Sequence, residues 1–199
     1  MKVTINKITV ENPAAYLLNR YRTAVTNHIN GALDTIIANN GNHPAVMATL
    51  DQMYEDAQQL RMMGLINDRE YDAIAAIAFD VVCGDNETHL LLPEIRTVRN
   101  AQGEDLYTIT DAKQIVREGI AAPINRCLLF LTNSNEEEWK QDGWENEEEY
   151  HKCIFKTIHN IMRLGKIIGA TTEKDHDYVT QRLMQCVDTK ELHEVVFGD

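Results

Sequence analysis

The chain has 199 residues, of which 44% are hydrophobic, so it can bury a core without help from disulfide bonds, as one domain or as two small ones packed together. Its 31 acidic and 19 basic residues give a net charge of −12, which opposes direct binding to nucleic acid or membrane surfaces and favours cations or basic protein surfaces.

The cysteines argue against a disulfide framework and against a zinc finger or ribbon. They are far apart in sequence and form no CxxC pair: Cys83, Cys127, Cys153 and Cys186. The N-terminus alternates polar and apolar residues and has no continuous apolar signal segment, and no stretch approaches the roughly 20 apolar residues of a membrane span. We therefore expect reduced, mostly buried thiols in a cytoplasmic protein.

The first 84 residues predict a strand followed by three helices. Residues 3–10 are rich in β-branched side chains with period two, and Asn12 before Pro13 indicates the start of a long amphipathic helix that ends at the sequence NNG at 39–41. A second helix fits residues 44–63. A third follows Asn67, whose spacing to Glu70 is that of a capping box, and runs to Gly84.

The middle of the chain predicts a β-hairpin within residues 89–110, to which residues 3–10 could add a third strand. A short helix is expected over 111–118, with Gly119 and Pro123 interrupting the chain after it. Helices return at 147–168 and 172–187. The predicted fold class is α+β, mainly α, a helical bundle with a small antiparallel hairpin or three-stranded sheet, divided into 1–84 and 85–199 or continuous.

Acidity is concentrated in the second half of the chain. Residues 1–66 carry five acidic and five basic groups, whereas residues 133–199 carry fifteen and eight. Residues 133–150, NSNEEEWKQDGWENEEEY, here called the acidic segment, contain eight acidic residues, one lysine and two tryptophans.

Two interpretations of the acidic segment stay open. Carboxylates at a helix N-terminus provide capping and solubility, and a tryptophan can anchor a loop to the core. Alternatively, aromatic anchors inside an acidic rim form a docking surface for a basic protein. The predicted docking residues are Glu136, Glu137, Glu138, Trp139, Asp142, Trp144, Glu145, Glu147, Glu148 and Glu149.

More specific uses of the acidic segment are less well supported by its pattern. Mimicry of nucleic acid requires charge spread along a long face, and here the charge is concentrated. A calcium loop of the EF-hand type requires glycine at its sixth position and a carboxylate at its twelfth. Counted from Asn133, those positions hold Glu138 and Trp144.

An alternative function is a metal-dependent helical phosphohydrolase. The dipeptide His176-Asp177 is similar to the paired metal ligands of HD-type phosphohydrolases, with His151 upstream and Asp188 downstream as candidate partners. The ligand set of this hypothesis is His151, Glu148, His176 and Asp177. Glu145 and Glu148 have the ExxE spacing of helical pyrophosphatases of the MazG kind, but the second acidic pair of that pattern is missing near Glu173. This hypothesis requires the four side chains of the first set to converge on one ion.

No glycine-rich phosphate loop, G-x-S-x-G or H-E-x-x-H motif occurs in the sequence, so we assign no catalytic residues and no cofactor. We expect a non-enzymatic acidic factor that docks on a basic surface of another protein. An inhibitor, immunity or antitoxin-like factor aimed at a nucleic-acid-handling complex would suit this charge. A third hypothesis is a homo-oligomeric structural subunit that associates through the first long helix.

Overall fold

The computed structural model describes residues 3–5, 8–85, 87–133, 140, 143–144 and 146–198. These residues form a mainly helical α+β fold, as predicted. The described residues contain six α-helices: α1 Pro13–Ala38, α2 His43–Met62, α3 Asp68–Val82, α4 Ile109–Asn133, α5 Glu147–Ile167 and α6 Glu173–Thr189.

Helix starts are set by local capping chemistry. The side chain of Asn12 accepts a hydrogen bond from Ala15 N at 3.1 Å, and Pro13 occupies the first helical position of α1. Asn67 and Glu70 form the predicted capping box at the start of α3. Helices α1 and α3 therefore begin where the caps predict, and α2 begins at His43, one residue before the expected Pro44, without a side-chain cap.

The strands form two separate antiparallel pairs. β1 (Val3–Ile5) pairs with β2 (Ile8–Val10), and β3 (Val98–Arg99) pairs with β4 (Asp105–Leu106). The expectation of one strand over residues 3–10, available as a third strand for the later hairpin, is therefore wrong. Pairing between neighbours in sequence closes a much shorter loop and costs less chain entropy than pairing with a distant hairpin.

Helix α4 is continuous through the position where an interruption was predicted. The short helix over 111–118 extends to Asn133 with Pro123 inside it, although proline removes one backbone hydrogen bond. Buried apolar residues recur along the whole helix at a spacing of three or four: Ala112, Val116, Ile120, Ile124, Leu128 and Leu131. Their burial outweighs the proline penalty of about 3 kcal/mol.

The chain divides into two compact units, Met1–Val116 and Arg117–Asp199, with the division inside α4. In the first unit, α1, α2 and α3 pack on one another, and their fully buried side chains include Val25, Leu33 and Leu60. In the second unit the fully buried side chains include Ile161 and Leu164 of α5. Whether 1–84 and 85–199 fold separately stays a prediction.

Candidate functional site

Only part of the acidic segment lies within the described residues. Trp144, Glu147, Glu148 and Glu149 are described. The other predicted docking residues lie outside the described residues: Glu136, Glu137, Glu138, Trp139, Asp142 and Glu145.

The three consecutive glutamates occupy the first turn of α5 and are exposed. Asn146 caps this helix by accepting a hydrogen bond from Glu149 N at 2.9 Å. Glu148 contacts Lys152 one turn later at 2.7 Å, and the hydrogen bond and charge of that lysine lower the pKa of the Glu148 carboxyl. The turn therefore presents negative charge to solvent while it satisfies the helix N-terminus.

Trp144 is half-buried and lies against the start of α5. Its ring centroid is 6.1 Å from that of Tyr150, with an angle of 61° between the ring planes, an edge-on geometry favourable for aromatic pairs. Tyr150 is buried. This contact supports the loop-anchoring interpretation for Trp144 and also fixes the ring beside the exposed glutamates.

The candidate metal ligands do not come together. In the part of the chain that the structure describes, which includes all four residues, no three His, Cys, Asp or Glu side chains are placed to hold one metal ion. His151 Nε2 lies 3.6 Å from Glu147 Oε1, and Glu148 contacts Lys152. His176 instead lines a small, mostly apolar cavity between α5 and α6, and Asp177 is exposed.

His28, on the apolar stripe of α1, has a buried partner. Its Nε2 lies 2.7 Å from Oδ2 of Asp56 in α2, and Gln52 Nε2 donates to the other oxygen of this carboxylate at 2.8 Å. Asp56 is only 2% exposed. The three side chains tie α1 to α2 within the three-helix core.

A second arrangement, not foreseen from the sequence, joins α1 to residues 89–95, which belong to no helix or strand and are here called the strap. Asn19 pairs with both backbone groups of Ile95: Nδ2 donates to the carbonyl oxygen at 2.7 Å, and Oδ1 accepts from the N–H at 2.9 Å. Asn30 pairs in the same way with Leu90, at 3.1 and 2.8 Å. Each amide side chain thus offers the donor and acceptor that a neighbouring strand would offer.

Two charged groups extend this arrangement along the helix. Arg22 donates to the carbonyl oxygen of Pro93 at 3.2 Å. Beyond Asn30, Asp34 Oδ1 lies 3.2 Å from Nε2 of His89. The pKa of His89 is raised, chiefly by its hydrogen bond to the Glu87 carbonyl oxygen and also by Asp34.

The groups on α1 share one face of the helix, here called the polar stripe. Its members recur every three or four residues: Asn19, Arg22, Thr26, Asn30 and Asp34. Beside them the strap and α1 line a half-open cleft of about 420 Å³, bordered by Asn19, Arg22 and Thr26 and by strap residues 91–94. Polar residues at helical spacing beside the apolar stripe were the sequence signal that could have revealed this face.

Arg22 also forms a buried ion pair in this unit. Its guanidinium contacts Glu70 in bidentate fashion, at 2.5 and 3.1 Å, and donates to the carbonyl oxygen of Leu65 at 3.0 Å. Burial raises the pKa of Glu70, but the hydrogen bonds from Arg22 and from Asn67 N, with the charge of Arg22, outweigh it and lower the pKa overall. The carboxylate therefore stays ionised and holds the arginine.

No protein-family model, curated protein or solved structure matches the chain. Among the helices of the described residues, none contains an apolar stretch of the length that a membrane span needs.

Proposed function

We propose that this protein is a non-enzymatic, acidic binding factor that docks on a basic surface of another protein through the acidic segment. The observation that supports it is the turn Glu147–Glu149, which exposes three carboxylates beside a half-buried tryptophan fixed by Tyr150. Exposed carboxylates attract a basic surface and steer its approach, and a rigid aromatic ring supplies apolar contact area.

The partner class follows from the charge. Proteins that handle nucleic acids present basic surfaces, and a protein of charge −12 with a concentrated acidic segment complements them without binding nucleic acid itself. Inhibition of such a partner is the simplest consequence, since an occupied basic surface cannot bind phosphates. We further propose that the protein acts in the cytoplasm, where its four free thiols would stay reduced.

The test is a lysate pull-down at low and high salt with two matched variants. The first removes six carboxylates from the acidic segment: Glu136→Gln, Glu137→Gln, Glu138→Gln, Glu147→Gln, Glu148→Gln and Glu149→Gln. The control removes six exposed carboxylates elsewhere: Asp51→Asn, Asp72→Asn, Asp80→Asn, Glu87→Gln, Glu191→Gln and Glu194→Gln. Both variants have a net charge of −6, six less negative than −12.

We expect the wild type and the control to capture the same stoichiometric partner with a basic surface. We expect the acidic-segment variant to bind it at least about tenfold more weakly, because several ion pairs of a few tenths of a kcal/mol each are lost. High salt should weaken the wild-type complex. Equal loss in both variants would mean that only net charge matters, and equal capture by all three would contradict the proposal.

A further inference from the structure

We infer that the polar stripe of α1 is a binding groove for an extended peptide, and that the strap is its built-in occupant. The inference goes beyond the proposed function, because this groove lies in the first compact unit and uses none of the acidic segment. It rests on the type of contact, the fit of lengths and the exposure of the strap.

Most of the polar contacts are to the peptide backbone and fix its conformation, whereas the burial of Leu90 and the contact of His89 with Asp34 add a preference for particular side chains. Asn19 and Asn30 each bind both the N–H and the carbonyl oxygen of one strap residue. Arg22 binds the carbonyl oxygen of a third strap residue. Any residue other than proline can present that N–H and carbonyl pair. The groove therefore selects for extended conformation.

The lengths of helix and strap match. Asn19 and Asn30 are eleven residues apart on α1, which spans about 16 Å at a rise of about 1.5 Å per residue. Their partners Ile95 and Leu90 are five residues apart, which spans about 16 Å at the roughly 3.3 Å per residue of an extended chain. The two asparagines are thus spaced to read an extended peptide that runs antiparallel to the helix.

The strap is attached more by these polar contacts than by burial. Leu91 is 86% exposed, and Pro93 and Glu94 are exposed as well. Leu90 alone among strap residues is buried, while Ile95 is partly buried against a small cluster that includes Val98. Segments with few buried apolar contacts open locally at a lower free energy than the core, so the strap can leave the groove while the three helices stay folded.

The strap also defines the peptide that would replace it. His89 faces Asp34, and the carbonyl oxygen of Pro93 accepts a hydrogen bond from Arg22. Leu90 is buried and Ile95 is partly buried. A competing partner segment would carry a basic residue followed by an apolar one, with proline three positions and a second apolar residue five positions after the first apolar residue. The basic residue at the first position would face the carboxylate of Asp34.

The test uses a fluorescently labelled synthetic peptide with the sequence of residues 87–97, ETHLLLPEIRT, and fluorescence anisotropy. The protein tested is the full chain with the substitution Leu90→Ser, which weakens the binding of its own strap to α1. Circular dichroism checks that the helices of this variant remain folded. We expect it to bind the peptide at least about tenfold more tightly than the wild type does, because in the wild type the tethered strap competes at high effective concentration. A peptide of scrambled order should not bind.

Substitutions in the polar stripe test whether Asn19 and Asn30 bind the peptide. In the Leu90→Ser background, Asn19→Ala with Asn30→Ala should weaken peptide binding at least about tenfold, since about four hydrogen bonds are lost. Asn42→Ala, which removes an exposed asparagine that makes no capping hydrogen bond, should leave binding unchanged. If the folded Leu90→Ser chain binds the scrambled peptide equally well, or if the groove variants bind as tightly as their parent, the inference is wrong.

If Leu90→Ser unfolds the protein, amide hydrogen exchange of the wild type measures whether the strap opens by itself. The N–H groups of Leu90 and Ile95, which donate to Asn30 and Asn19, should exchange at least about tenfold faster than those of Val25 and Leu33 in the middle of α1. Exchange at the same rate as the α1 core would show that the strap separates only on global unfolding, which would overturn the inference.

Discussion

At the scale of single residues, two helical glycines differ only in the space around them. A Cβ built on Gly165 of α5 would lie 2.8 Å from Cγ2 and 2.9 Å from Oγ1 of Thr171, a buried side chain. A Cβ on Gly31 of α1 would meet no atom within 4 Å. Alanine is the better helix former at both positions by about 1 kcal/mol, so packing alone decides the sign of each substitution.

We predict that Gly31→Ala raises the free energy of unfolding by about 0.5–1 kcal/mol. Gly165→Ala should lower it by about 1 kcal/mol, because the clash with a stiff β-branched side chain exceeds the gain in helix propensity. Urea unfolding measures both. Thr171→Ala should remove the penalty of Gly165→Ala in the double variant, and a penalty that persists there would show that the contact is not its cause.

The cysteines are predicted to differ strongly in reactivity. Burial, together with nearby Cys153, raises the pKa of Cys127 to about 11, and Cys186 is fully buried, whereas Cys83 is exposed. We expect iodoacetamide to modify Cys83 first and Cys127 at least about 100-fold more slowly, because the thiolate is the reacting species. Mass spectrometry of peptides from the folded protein would locate the label. Fast labelling of Cys127 would contradict this assignment of its environment.

At the scale of elements, Arg22 joins α1 to three other parts of the first unit. It contacts Glu70 in α3, the carbonyl oxygen of Leu65 before that helix, and the carbonyl oxygen of Pro93 in the strap. Glu70 in turn caps α3 by accepting from Asn67 N at 2.9 Å. Loss of the Glu70 charge would therefore leave a buried guanidinium unpaired and loosen the junction.

This pair predicts a defined acid response. The folded-state pKa of Glu70 lies below its ordinary value of 4.5, so its contribution to stability is complete above that pH and is lost as the pH falls through the folded-state pKa. Glu70→Gln should lower the free energy of unfolding by about 3 kcal/mol at neutral pH. The free energy of unfolding of this variant should also fall less steeply between about pH 5 and pH 3 than that of the wild type. Urea unfolding across this range would test both; an unchanged acid slope would rule out Glu70 as a contributor.

Helix α4 continues through Gly119 and Pro123, two residues of types that usually interrupt a helix. Gly119 and Pro123 predict a break, and in an exposed helix they would favour one. The apolar periodicity continues through both residues and is buried, so the helix does not stop. Proline inside a helix destabilises it, but the helix continues when the burial of apolar residues beyond the proline contributes more free energy than the proline removes.

At the scale of the whole molecule, the net charge of −12 creates self-repulsion in the folded state. We predict that moderate salt raises the free energy of unfolding, because it screens this repulsion more than it weakens the few buried ion pairs. Both six-carboxylate variants should respond less to salt than the wild type, which urea unfolding at several salt concentrations would show. A wild type destabilised by salt would mean that attractive ion pairs dominate.

The sequence by itself determined the features that depend on nearest neighbours along the chain. The cap at Asn12, the capping box at Asn67 and the helix start at Thr172 were all predicted, and each needs only groups three residues apart. The mainly helical α+β class likewise follows from apolar periodicity, which is a local property.

Only the tertiary structure decided which distant residues meet. Asn19 and Ile95 are 76 positions apart, Arg22 and Glu70 are 48 apart, and His28 lies 28 positions before Asp56. It also decided that the four candidate metal ligands do not gather, although the sequence allowed them to. Contacts of this kind depend on how the helices pack, since the side-chain pattern of one helix fixes which face is buried but not which residues of another element will lie against it.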